Sequence, residues 1–178
     1  MESILQKLKG GDRRSIGRVD EVVTQVLRDP ALFDSLFRGM LDDDPVVRMR
    51  SADAVEKITA QRPQLLQAYR SDLLQDVARS RQKEVRWHAA QMLPRLELTQ
   101  DEQEAAVEIL LHYLDDDSNI VKTFSMQALA DFAQTDASLR SRVVPLLEAL
   151  TETGSPGMKS RGRRLLQMLT TCAESAKD

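Results

Sequence analysis

With 178 residues, 42% of them apolar and 30% charged, the chain can bury a core and is too apolar to be disordered. Its net charge of −3 supplies no field that gathers a polyanion, which argues against general nucleic-acid binding. One cysteine, Cys172, excludes an internal disulfide and suits a reducing compartment.

No stretch approaches the ~20 consecutive apolar residues that a membrane helix needs. The opening residues, Met1 to Lys7, lack the apolar run of a signal peptide. A cytoplasmic protein without a membrane segment is expected.

Taken in chain order, residues 11–28 read as a degenerate first helical unit, with Val19, Val22, Val23 and Val26 as its apolar side. Asp29-Pro30 places a cap and a first-turn proline ahead of a helix through Leu32, Phe33, Leu36, Phe37 and Met40. The acidic turn Asp42-Asp43-Asp44-Pro45 leads into a second helix, closing a unit at 30–61. Pro63 begins the next, carrying Leu65, Leu66, Tyr69, Leu73, Leu74 and Val77, for a unit at 63–97. Thr99 and Glu102 have capping-box spacing before Ala106, Val107, Leu110, Leu111 and Leu114, opening a unit at 99–134. Asp136 precedes Leu139, Val143, Val144, Leu147 and Leu150 in a unit at 136–171, where Pro145 predicts a kink. Gly154-Ser155-Pro156-Gly157 is the break inside that last unit, and 173–178 reads as a frayed tail.

The second helices align without gaps. Their aligned segments begin at Val47, Val85, Val121 and Met158, which lie 38, 36 and 37 positions apart. Counting each first residue as zero, apolar side chains recur at offsets 0, 7, 8 and 11. Offset 4 is always small: Ser51, Ala89, Ser125 and Gly162. At 100° per residue these offsets share one stripe, as the buried face of a helix does. The small column predicts a close approach between helices. Offset 1 is always cationic: Arg48, Arg86, Lys122 and Lys159. These cations are expected to point sideways and pair with the acidic turns, Arg48 with Asp43 or Asp44 and Lys122 with Asp116 or Asp117, fixing register more than stability.

The turn and second helix from Leu41 to Ile58, and again Leu114-Asp115-Asp116-Asp117 with Val121-Lys122, resemble the HEAT repeat family. The second unit departs where Ala78-Arg79-Ser80-Arg81 replaces the acidic turn, and the fourth departs through its Gly-Ser-Pro-Gly. The resemblance covers about 30–170 and implies an all-α fold. That fold would be a right-handed α-solenoid of about four helix pairs after the degenerate unit, with the second helices lining the concave face. It also implies an adaptor or scaffold that binds another protein.

Offsets 2, 6 and 9 of each second helix point away from the apolar stripe, and offset 3 flanks them. These columns supply the candidate partner-binding residues: Met49, Arg50 and Asp53; Trp87, His88 and Gln91; Thr123, Phe124 and Gln127; and Arg161 and Arg164. Trp87 is the only tryptophan, either an interface anchor or a side chain folded against a neighbouring helix. Lys159, Arg161, Arg163 and Arg164 form a basic cluster, read either as a polyanion contact or as the solvated face of the last repeat.

Catalysis finds no support. His88 and His112 have no second ligand at metal spacing, there is no Gly-x-Ser-x-Gly, and the Gly154 to Ser160 stretch lacks the Gly-Lys-Ser of a phosphate loop. No cofactor and no metal are expected. Two other functions remain open: a nucleic-acid-binding helical repeat, for which Arg50, His88, Lys122 and Arg161 would serve, and an accessory protein like the HEAT-like bilin lyases.

Overall fold

Helix-favouring residues between short polar turns leave the backbone one economical way to satisfy its hydrogen bonds, and every regular element among the described residues is helical. The structure, a computed structural model, describes residues 3–11 and 15–175, the last three of these as backbone only. The chain divides into two compact units, Met1–Glu102 and Gln103–Asp178.

In the first unit the helices are α1 (Ile4–Leu8), α2 (Val19–Arg28), α3 (Phe33–Arg38), α4 (Pro45–Gln61), α5 (Arg70–Gln75) and α6 (Lys83–Met92). The helices expected after Asp29 and after Pro63 are not continuous. Three-ten turns at Pro30–Leu32 and Gly39–Leu41 flank α3, and Pro63–Tyr69 and Val77–Arg79 flank α5. A tighter winding serves these segments because they bury only short apolar edges, chiefly Phe33, Leu36, Phe37 and Met40, then Leu66, Leu73 and Leu74. Phe37 stacks on Tyr69 with ring centroids 4.4 Å apart, and Tyr69 donates its hydroxyl to Asp34 at 3.2 Å, joining the two broken segments.

The first helix pair begins earlier than the sequence suggests. Residues 12–14 of the expected 11–28 unit lie outside the described residues, and α1 starts at Ile4 with Ile4 and Leu8 buried. Lys7 ties α1 to α2, donating to Glu21 at 2.7 Å and to Gln25 at 2.8 Å.

The second unit holds most of α7 (Gln100–Tyr113), then α8 (Asn119–Thr135), α9 (Ala137–Thr153) and α10 (Pro156–Ser175). Sequence caps set these boundaries. The Thr99–Glu102 capping box closes in both directions, and the Asp136 carboxylate accepts from Leu139 N at 2.9 Å. Helix α9 runs unbroken through Pro145, which sits exposed. Backbone helix continues through Ser175, and 176–178 of the tail expected to fray lie outside the described residues.

The aligned stripe is the core. Residues at offsets 0, 4, 7 and 11 are buried in all four second helices; at offset 8 the last one, Leu166, is half-buried. Burying a Leu, Ile or Val side chain in this way contributes roughly 1.5–3 kcal/mol. The small column works as expected in both units. A Cβ at Gly39 would collide with Ser51 Oγ on α4, and one at Gly162 on α10 would collide with Thr151 Oγ1 on α9.

Candidate interaction surface

Second helices carry most of the candidate residues, and the two units treat them differently. In the first unit α4 packs against both α2 and α6, and no side chain from Pro45 to Thr59 is fully exposed. Its cations are consumed locally. The Arg48 guanidinium donates to the carbonyls of Asp42 at 2.7 Å and Asp43 at 3.0 Å, and to the Gln82 side chain at 3.0 Å. The expected pairing with the Asp43 or Asp44 carboxylate does not form. The Asp44 carboxylate caps Val46 N at 2.8 Å and that of Asp42 accepts from Asp44 N at 2.9 Å, so the turn offers Arg48 its carbonyls instead. Gln82 completes the bridge by donating to the Pro45 carbonyl at 2.9 Å. Arg86, in the same column, donates to the Ser80 carbonyl at 3.1 Å.

Arg50, expected on the binding face, is 3% exposed. Its guanidinium donates to the carbonyls of Leu8 at 2.8 Å, Gly10 at 2.7 Å and Ser15 at 3.1 Å, clasping the segment between α1 and α2. Gly17, at φ +57, lets the backbone pass directly over the guanidinium, where a Cβ would lie 2.8 Å from Cζ. A buried charge needs such donors matched, and the role of Arg50 is to hold the fold.

His88, 8% exposed, lies 3.9 Å from the Asp53 carboxylate. Burial holds the imidazole below its ordinary pKa, with the nearby Asp53 charge opposing that shift only in part. In its neutral tautomer with the proton on Nε2, His88 accepts at Nδ1 from the Gln91 amide at 3.4 Å. Asp53 also pairs with Lys57 at 3.0 Å, and Lys57 reaches Asp20 of α2 at 3.0 Å. Burial pulls Lys57 down, yet the hydrogen bonds it donates to two carboxylates leave its pKa raised. Arg95, missed in the sequence, bonds Glu56 and donates to Thr59 Oγ1 at 2.9 Å. Only its position at offset 10, level with Lys57, hinted at this.

What remains open on this face is small. Met49 is 9% exposed, Asp53 and Gln91 are half-buried, and Trp87 is half-buried with its ring tilted against His88 at a centroid distance of 5.6 Å.

In the second unit Thr123, Phe124, Gln127 and Arg161 are half-buried and Arg164 is exposed. Arg161 of α10 sits 6.0 Å from the Phe124 ring centroid and donates to Gln127 Oε1 at 2.7 Å. The Gln127 amide in turn donates to Asp131 at 2.8 Å. Burial raises the Asp131 carboxyl above the usual range, with the Gln127 hydrogen bond opposing it. One geometric rule thus recurs in each unit: the side chain at offset 3 reaches the one at offset 6 of the preceding second helix, as His88 meets Asp53 and Arg161 meets Gln127. The cations Lys122, Lys159, Arg163 and Arg164, by contrast, have no hydrogen-bond or ion-pair partner among the described residues. No group of three or more His, Cys, Asp or Glu side chains among the described residues has the arrangement of a metal site.

Paired helices with a shared buried stripe and small residues at the crossings define a helical-repeat protein of the all-α class. Residues 6–169 match the HEAT repeat domain, and the chain belongs to that family. Solved structures agree on the fold. A computationally designed armadillo repeat protein, described as made for modular peptide recognition, is 17% identical with a TM-score of 0.66, over 93% of this chain and 80% of its own. An engineered protein from the Northeast Structural Genomics Consortium is also 17% identical, with a TM-score of 0.65 over 95% of this chain and 78% of its own. No curated protein matches the sequence.

Proposed function

We propose that this chain is a non-catalytic protein-interaction module that binds its partner through the faces of its second helices. The observation that carries this reading is Trp87. A large ring at offset 2, outside the buried stripe of α6, rests on His88 on one side and keeps part of its surface open. Gln91 and Asp53 flank it in the first unit, and Thr123, Phe124, Gln127 and Arg164 are its counterparts in the second. Arg50 and His88, being buried, act behind this face rather than on it. The purpose of the armadillo design, peptide recognition, supports the same use of a related fold. The lone Cys172 fits a reducing compartment, and a cytoplasmic location is part of this proposal; no described helix is long and apolar enough to cross a membrane.

Crosslinked affinity capture with the wild-type chain and Trp87→Ala tests the site. The expected result is a captured partner whose affinity drops by about 2 kcal/mol in the variant, the scale of an interface hot spot. Unchanged capture by a variant that melts normally would remove Trp87 and this face from the reading.

A further inference from the structure

The column at offset 5 changes character along the chain. Ala52, Ala90 and Met126 are each 0% exposed there, while the fourth second helix carries Arg163, which is exposed. Around it Lys159, Arg161 and Arg164 add three more cations, and α10 has no acidic residue from Pro156 to Ala173. Nothing in helix energetics asks for this. Lys159 and Arg163 are like charges four residues apart, as Arg161 and Arg164 are three apart, and both pairs repel along the helix surface. The cations also occupy the half of α10 nearest its N-terminus, where the helix dipole favours anions. A face that merely had to stay soluble would mix both signs, as α2 does with Asp20, Glu21 and Arg28.

We propose that the outer face of α10 is a docking site for an acidic polypeptide segment, with the exposed Arg163 and Arg164 and the half-buried Lys159 as its primary contacts. This rests on the reading that second-helix faces bind a protein partner, and names that partner's chemistry. Charge complementarity selects the occupant: three cations without partners among the described residues, two of them guanidinium forks that fit carboxylates in bidentate fashion. The neighbours at this face, Ser160, Gln167 and Thr170, are exposed and polar, and the adjoining Leu166 and Met168 are half-buried, so the face lacks the open apolar stripe that inserts into a lipid surface. A nucleic-acid strand would require a longer basic track and open aromatic faces for stacking. The ring of Phe124, beside α10, is already covered by the Arg161 guanidinium.

The test is fluorescence anisotropy on the full chain with a fluorescein-labelled glutamate-rich peptide at low ionic strength. A labelled single-stranded oligonucleotide of equal charge serves as the competing probe. Binding to the peptide is expected, at least about tenfold weaker in Arg163→Glu/Arg164→Glu and weakening with added salt. Arg79→Glu/Arg81→Glu, which changes the net charge equally at exposed positions of the first unit, is expected to bind as the wild type does. Thermal melting reports whether each variant is folded. Absence of peptide binding, equal loss in both charge-reversed variants, or tighter binding of the oligonucleotide would each overturn the proposal. Because Trp87 is intact throughout, these failures are distinct from failure of the Trp87 capture experiment.

Discussion

The two units use the same sequence register to opposite ends. In the first, Arg48, Arg50, Lys57, Arg86 and Arg95 are all tied to backbone carbonyls or to side chains of neighbouring segments. In the second, four cations on α8 and α10 are left without such partners among the described residues. Both sets look alike in sequence, since Arg48 and Lys159 share one column. The difference comes from what stands opposite. Arg48 meets a turn whose aspartates are busy capping, and the carbonyls of that turn face it. Lys159 follows a Gly-Ser-Pro-Gly turn with no acidic residue at all. The turn does not decide this alone, because Arg86 follows a turn without acidic residues and is tied, while Lys122 follows three aspartates and has no partner among the described residues; what stands opposite each cation decides.

The largest effect should come from breaking this internal wiring. Removing the side chain in Arg50→Ala strands the carbonyls of Leu8, Gly10 and Ser15 over an empty cavity. Hydrogen bonds to a charged group are worth roughly 1.5–3 kcal/mol each, and the expected loss is about 3 kcal/mol or more, read by urea unfolding. Arg163→Ala/Arg164→Ala in the second unit should change stability by no more than about 0.5 kcal/mol, as exposed surface changes do. Comparable losses in both variants would erase the contrast.

Helix crossings sharpen the comparison from another side, because here the units should behave alike. Gly162→Ala drives a methyl into Thr151 Oγ1, a hydroxyl already fixed by donating to the Leu147 carbonyl at 2.6 Å. Overpacking of this kind costs about 1–3 kcal/mol. Thr151→Ala made together with Gly162→Ala removes the obstructing hydroxyl and should recover most of that loss in thermal melting. Absence of coupling between the two changes would mean that α9 and α10 are not held this closely.

That crossing was legible in the sequence, and so was most of the core, because a small residue every repeat and an apolar stripe at fixed offsets leave helices a single side on which to meet. The candidate site was less so. Arg50, His88, Phe124 and Arg161 fall in one column, yet the first two are buried and the others half-buried. Column position fixes the direction in which a side chain leaves its helix; what it meets there depends on the neighbour. Arg50 meets an N-terminal segment whose glycines allow the backbone to wrap around it, and no periodicity encodes that wrapping. The broken first helices escaped notice for a related reason: apolar spacing is similar in α and three-ten turns over so few residues.

Acidification probes the His88 network, which again belongs to the first unit alone. Burial holds the folded His88 pKa below the 6.5 of a free imidazole. Between those two values the unfolded chain binds a proton that the folded chain refuses, so stability falls as pH drops through 6.5 toward the folded value. Glu21, held at about 2 by hydrogen bonds from Arg18 and Lys7, contributes no change until the pH approaches the 4.5 of a free glutamate. The urea midpoint should therefore decline below pH 6.5 in the wild type and stay flatter in His88→Gln. Identical pH profiles would remove His88 from the account.

The smallest effect expected is also the most discriminating, since its sign runs against intuition. Ser51 Oγ is buried with no hydrogen-bond partner among the described residues, whereas Ser125 in the same column donates to the Val121 carbonyl at 2.8 Å. An unmatched buried hydroxyl costs more than it returns, while a matched one contributes about 1 kcal/mol. Ser51→Ala should leave the chain unchanged or stabilise it by up to about 1 kcal/mol, also easing the contact with Gly39. Ser125→Ala should destabilise it by a similar amount. Equal and opposite outcomes at one column in two units would show that the small residue is kept for its size and that its hydroxyl is used only where a carbonyl is in reach; a loss of stability in Ser51→Ala would mean that its hydroxyl has a partner after all.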